Sequence, residues 1–226
     1  MIDTLFLAGL IKALLALVLI TGAFIVTRRD LLSLVLTYRI QSILLTVLAL
    51  VLYGVHASDV LIYLAALTFM SKVVVIPYAV KSVQKRMNIR RDLEFAYLSP
   101  SGSMLATIAM ILLVYYSFSG FLRELSLSGL TYMGSVFGIS LALMGMLVIL
   151  TRRKVITKVI GYLTMENGVL LFGIFMTELP FIIEVLIIVD LIILVLIATI
   201  LSTGIDGSIE EFQNRLARLH VKREED

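Results

Sequence analysis

RRKVITKVIGYLTMENGVLLFGIFMT, residues 152–177, opens on three consecutive bases and then runs apolar for the thickness of a bilayer, broken by Lys158, Glu166 and Asn167. A membrane helix needs about 20 predominantly apolar residues, because each adds only ~1.5 Å along the axis. The same pattern recurs on both sides of this stretch. Apolar runs cover roughly 4–26, 31–53, 59–80, 103–118, 130–150, 155–177 and 181–203. In hydrocarbon every backbone N–H and C=O must be paired within the protein, so these runs are helices or closed-barrel strands. Their length and near-continuous apolarity favour helices. The first opens on Asp3 in place of a basic region and is longer than a secretory h-region, so we expect a retained span and not a cleaved signal.

Composition points the same way. Of 226 residues, 60% are hydrophobic and 15% charged, against about 45–50% and about 25% in soluble domains. This excludes a soluble enzyme domain. The chain has no cysteine, which excludes disulfides, iron–sulfur clusters and thiolate metal sites. His56 and His220 both lie outside the apolar runs, so a bis-His haem inside the membrane is excluded too. There is no phosphate loop, Ser/His/Asp set, metal-ligand cluster or GxGxxG. We expect no cofactor and no catalysis in this chain alone, with the lipid bilayer as partner and no nucleic acid.

The junction charges alternate. Arg28 and Arg29 follow the first run; Lys81, Lys85, Arg86, Arg90 and Arg91 follow the third; Arg152, Arg153, Lys154 and Lys158 follow the fifth; Arg215, Arg218, Lys222 and Arg223 follow the seventh. The intervening junctions carry Asp59, Glu178 and the pair Arg123/Glu124. Under the positive-inside rule the chain is an all-α, multi-pass integral membrane protein of seven transmembrane helices, N-terminus outside and C-terminus inside. Residues 82–100 should lie along the cytoplasmic membrane surface. The tail should form a short helix, with Ser208 and Glu211 at capping-box spacing and Ile209, Phe212, Leu216 and Leu219 on one stripe.

The sequence also repeats. RRDLLSLVLTYRIQSILL from Arg28 aligns with RRKVITKVIGYLTMENGVLL from Arg152, matching the arginine pairs, Val35 with Val159 and Tyr38 with Tyr162. DVLIYLAAL from Asp59 aligns with EVLIIVDLI from Glu184 after a one-residue shift. Helices 1–3 therefore resemble helices 5–7, and one spacer helix leaves the copies parallel, unlike the inverted repeats of alternating-access transporters. The division is 1–82 first repeat, 83–129 surface segment and spacer helix, 130–205 second repeat, and 206–226 amphipathic tail.

Ionisable groups deep in such helices cost about 2.5–3.5 kcal/mol each on insertion scales and need a reason. Glu166 lies near the middle of the sixth run, Asp190 near the middle of the seventh, Lys72 past the middle of the third, and Arg39 about two turns into the second. In the alignment Glu166 stands opposite Ser42 and Asp190 opposite Ala65. The second copy thus carries two acids, and the first two bases displaced toward the cytoplasm. One polar seam of Glu166, Asp190, Lys72 and Arg39 would suit ion translocation, with Tyr162, Lys158, Asn167 and Glu184 as further relay candidates. Arg39, which keeps its proton, would set the field. The alternative is a structural lock, in which acids and bases pair to fix helix register. Lys12 can snorkel outward, and the scattered glycines read as close-packing positions.

IGYLTMENGVLLFGI, followed by EVLIIVDLIILVLIATIL, resembles the hydrogenase-4 component E family, which groups with the NuoK subunit of complex I and the MrpC subunit of cation/proton antiporters. In NuoK-like proteins a basic pair opens the second helix, a glutamate follows within it, and an acid sits midway along the third. Arg152, Arg153, Glu166 and Asp190 match these positions, with aspartate at the last where NuoK has glutamate. FMSKVVVIPYAV resembles the lysine-bearing third helix of the longer component E type, which Lys72 matches. The resemblance implies a subunit of a group 4 energy-converting hydrogenase or formate hydrogenlyase in a prokaryotic cell membrane. Its partners would be antiporter-like and anchor membrane subunits and a peripheral hydrogenase arm holding the nickel–iron and iron–sulfur centres. The alternatives are a subunit of a multi-subunit cation/proton antiporter, which neighbouring genes would distinguish, and a purely structural membrane anchor.

Overall fold

The computed structural model describes residues 4–56, 58–87, 99–124, 128–152 and 155–176, with Val189, Ile192 and Val195 beyond them. Every element among these residues is a helix. Helix α1 is Thr4–Thr27 and α2 is Leu31–His56; α3, Asp59–Thr68, widens into a π segment, Phe69–Val75, and continues as α4, Ile76–Met87; α5 is Pro100–Glu124, α6 Gly129–Thr151 and α7 Val155–Met176. Six helices are long and apolar enough to cross a membrane, the α3–π–α4 rod counting as one from Asp59 to Lys81. Of the seventh run, expected over 181–203, the three residues Val189, Ile192 and Val195 are helical, and the rest lies outside the described residues. So do the tail from 206 and residues 88–98 of the expected surface segment.

Local chemistry sets the helix starts. Asp30 precedes α2 and its Oδ2 accepts from Ser33 N at 3.0 Å and from Ser33 Oγ at 2.9 Å, which satisfies an orphan donor and places a negative charge at the positive end of the helix. Ser128 caps α6 by accepting from Thr131 N at 3.2 Å. Pro100 opens α5, where its missing N–H leaves no bond unmade. The helix expected over 103–118 is therefore longer at both ends.

Lipid tails are as apolar as leucine, so helices in a bilayer associate through close packing and not through the hydrophobic effect. The α6–α7 pair does this with glycines. A Cβ at Gly138 would sit 2.5 Å from the backbone N of Phe172, and one at Gly145 or Gly168 would run into the backbone of Met165 or Ala142. Helix α6 also packs on α1, where Gly22 lies under Leu141 and Met144. Helix α2 packs on α1, α3, the π segment and α7. Helix α5 touches α1 and α6 from the rim, with 17% of its span buried against 61% for α7.

Buried hydroxyls mostly settle on their own helix. Thr46, Thr107, Ser140, Thr151 and Thr164 each donate to the carbonyl four residues back. That arrangement satisfies them without a neighbour. Longer polar side chains in the core lack this option and have to reach across.

Candidate functional site

Four such side chains meet where α2, the π segment and α7 converge. The local cause begins at Pro77. Proline has no N–H to give the carbonyl of Val73, and its ring presses on that carbonyl. The rod widens immediately upstream, and Ile76 N donates five residues back to Ser71 O. Lys72 sits in this widened turn and is 1% exposed. Mid-helix π turns recur at functional sites.

Glu166 stands ten residues from either end of Ile156–Met176, at the middle of a helix long and apolar enough to cross a membrane. Lys72 Nζ donates to Glu166 Oε1 at 2.7 Å and to Asn167 Oδ1 at 3.1 Å. Asn167 Nδ2 in turn donates to Gln41 Oε1 at 3.1 Å and to Ser42 Oγ at 3.4 Å. Gln41 Nε2 donates to Thr21 Oγ1 at 3.1 Å, and Thr21 ends the chain on Val18 O at 2.6 Å. Gln41, Ser42 and Asn167 have no exposed surface. The cluster thus joins α1, α2, the π segment and α7.

The chemistry of the pair follows from its dryness. Two charges taken out of water cost several kcal/mol each, and only close pairing with further hydrogen bonds offsets this. Lys72 meets both conditions, paired with Glu166 Oε1 and bonded to Asn167 Oδ1. In so dry a place the charged pair and its neutral form differ by one proton moved across a single 2.7 Å hydrogen bond.

The other residues singled out in the sequence are placed differently. Arg39 is exposed on the outer face of α2, away from this cluster. Its Cβ leans toward the helix N-terminus, so the guanidinium can snorkel toward the end that carries Arg28 and Arg29. Tyr162 and Lys158 are half-buried on α7, Tyr162 against the main apolar core. Asp190 and Glu184 lie outside the described residues. No family model, curated protein or solved structure matches the chain. Among the described residues no group of His, Asp or Glu is arranged to hold a metal ion.

Arg28 and Arg152, aligned in the sequence, are placed differently. Arg152 is buried, and its Nη2 donates to Val26 O at 2.9 Å and to Arg28 O. These are carbonyls at the C-terminal end of α1, where a cation is favoured. Arg28 is exposed and lies over the Phe24 ring, 5.8 Å from its centroid.

Sequence reading passed over Gln41 and Thr21. A primary amide inside an apolar helix needs a partner on another helix, and Gln41 adjoins Ser42, the residue aligned with Glu166. That was the available signal. Thr21 carried none, because a threonine in a membrane helix can bond to its own backbone.

Proposed function

We propose that this chain is a membrane-arm subunit of a complex I-like energy-converting hydrogenase or formate hydrogenlyase, coupling redox chemistry in partner subunits to H⁺ or Na⁺ translocation through its buried charges. The observation that carries the reading is the Lys72–Glu166 pair, dry and near mid-membrane, held in a π turn. A buried ion pair adds little net stability, and glycine-mediated packing already holds α6 to α7. Charges kept in hydrocarbon without a stabilising role point to ion movement.

In this reading the chain has seven spans in a prokaryotic cell membrane, outside at the N-terminus, built as a parallel repeat. Helices that the repeat makes equivalent pack on one another, α1 on α6 and α2 on α7, and the unrepeated α5 stands at the rim, which supports the duplication. Antiporter-like and anchor subunits flank the chain, and the hydrogenase arm supplies the nickel–iron and iron–sulfur centres. Glu166 and Lys72 exchange protons, and Asp190 continues the path.

Inverted vesicles energised through the redox arm provide the test. Glu166→Gln keeps an oxygen for Lys72 Nζ but cannot titrate near neutral pH. Ion uptake per turnover should fall about tenfold or more, the scale of losing one essential proton carrier, and by much more than complex yield on native gels, which falls only through the stranded Lys72 charge. Unchanged uptake, or a yield that falls in step with uptake, overturns the proposal and leaves the pair as a lock.

A further inference from the structure

Helix α2 buries Tyr38, Gln41, Ser42 and Leu45 and leaves Leu36, Arg39, Ile40, Ile43 and Val47 exposed on its other side. The four aliphatic residues recur at steps of four, three and four, the spacing along which a second helix packs. Arg39 stands within this seam, next to Ile40. It lies eight residues from Leu31, where the apolar span begins, or about 12 Å along the axis. Ile43, the middle of that span, is one turn further on.

An arginine side chain stays charged in proteins, and a charge at this depth in hydrocarbon calls for a partner. Arg39 makes no ion pair or hydrogen bond with the described residues. Helix α2 packs on α1, α3, the π segment, α4 and α7. The acids described on those elements are Asp59, exposed beyond the opposite end of α2, and Glu166, buried and paired with Lys72. Asp30, ahead of α2, is taken by Ser33. Because Arg39 is exposed, the opposite charge is left for another molecule to supply.

We infer that this face of α2 is a docking surface for a membrane helix of a different subunit, one that sets a carboxylate against Arg39 and aliphatic side chains along the seam. The inference rests on reading the chain as one subunit of a membrane assembly. A guanidinium offers a planar fork that a carboxylate meets with two parallel hydrogen bonds, and such bonds strengthen where water is absent. A lipid phosphate fits the same fork but lies at the bilayer surface. Leaning toward the start of α2, the three-methylene stem of Arg39 covers about half of the way there. The aliphatic residues continue on both sides of Arg39, which suits a helix along the whole seam and not a headgroup at one point. A second copy in the same orientation would hold its exposed Asp59 at the opposite surface.

The test reads assembly. The full chain, in its native membrane, carries photoreactive p-benzoylphenylalanine in place of Ile43, or in place of Leu105 on the exposed side of α5 as a control. After irradiation, the Ile43 adduct, sequenced by mass spectrometry, should be an apolar span of one other subunit with an Asp or Glu within about one turn of the cross-link. Arg39→Glu should lower the assembled fraction of the chain on native gels about tenfold or more, the scale of breaking a buried charge pair. Exchanging the acid so found for arginine should restore it. Arg39→Lys should retain part of the assembly, since it keeps the charge and loses the fork. Lys12→Leu removes another exposed cation from within a span and should leave assembly unchanged; an equal fall in both overturns the inference. Should Arg39→Glu fail to insert, Arg39→Leu carries the test: chain yield stays at wild type and the assembled fraction falls. An Ile43 adduct to lipid, to a second copy or within the same chain overturns the inference, as does full assembly of Arg39→Leu. Because assembly is read without transport, normal ion uptake in Glu166→Gln would remove the proposed function while an acid-bearing adduct retains this surface.

Discussion

Lys72 and Glu166 are each tolerable in the membrane interior only because of the other, and this makes their separate and joint removal informative. Lys72→Met strands a carboxylate with 7% side-chain exposure and should lower unfolding stability by about 3–5 kcal/mol, the range for breaking a buried pair. Replacing both members as Lys72→Met/Glu166→Gln removes the uncompensated charge, and stability should return to within about 1–2 kcal/mol of wild type. Thermal unfolding in nanodiscs measures the first quantity, and redox-driven ion uptake a second. We expect the double variant to be stable and inactive; a double variant that is stable and still moves ions would show that the pair lies off the path. The sequence made the depths of Lys72, Glu166 and Arg39 legible, since depth is only a count along an apolar run. It did not give their azimuth. A helix that is apolar all round has no stripe to mark its inner face, so hydropathy did not tell buried Gln41 from exposed Arg39, two residues apart.

Elements are held at different spacings, and glycine decides which pairs come closest. Gly138 admits the backbone of Phe172, and Gly168 admits that of Ala142, directly beside Asn167. Gly138→Ile therefore has to push α6 from α7 and should cost about 3 kcal/mol or more, at the upper end of overpacking. Asn167 and Glu166, on the displaced helix, would lose their alignment with Gln41 and Lys72. Gly54 on α2 is the matched control: a Cβ there meets nothing within 4 Å, so Gly54→Ala should be neutral or stabilise by up to about 1 kcal/mol through helix propensity alone. Thermal unfolding of the two variants side by side checks the contrast; equal melting would mean that α6 and α7 are not in backbone contact. Helix existence was legible, because a run long enough to span hydrocarbon has one economical backbone solution. The π segment was not, although Pro77 inside an apolar run marked the place. Whether a proline kinks, breaks or widens a helix depends on what packs against the turn before it, and here that is the Lys72 cluster itself.

Across the whole molecule, the Lys72–Glu166 pair ties the π segment to α7 across 94 residues of sequence, and in the proposed duplication it joins the first copy to the second. The alignment could place Ser42 opposite Glu166, but it could not show that α2 packs on α7. The proposed orientation and span number rest on charge alone, and the absence of cysteine from the chain makes them directly measurable. Three surface positions suit single cysteines. Ser58 makes no side-chain cap bond ahead of α3, Ser101 is exposed at the start of α5, and Gly129 is exposed at the start of α6 with open space where a side chain would go. A fourth, Ser208, lies beyond the seventh apolar run. With the N-terminus outside, each span reverses the side: Ser58→Cys and Gly129→Cys should react with a membrane-impermeant maleimide in intact cells, and Ser101→Cys only after lysis. Ser208→Cys is decisive. In the proposed topology the chain is outside after α7, so a tail on the cytoplasmic side requires one more crossing, and Arg215, Arg218, Lys222 and Arg223 argue for it under the positive-inside rule. Protection of Ser208→Cys in intact cells gives seven spans; labelling as fast as that of Gly129→Cys gives six, and would put Asp190 outside any helix that crosses the bilayer.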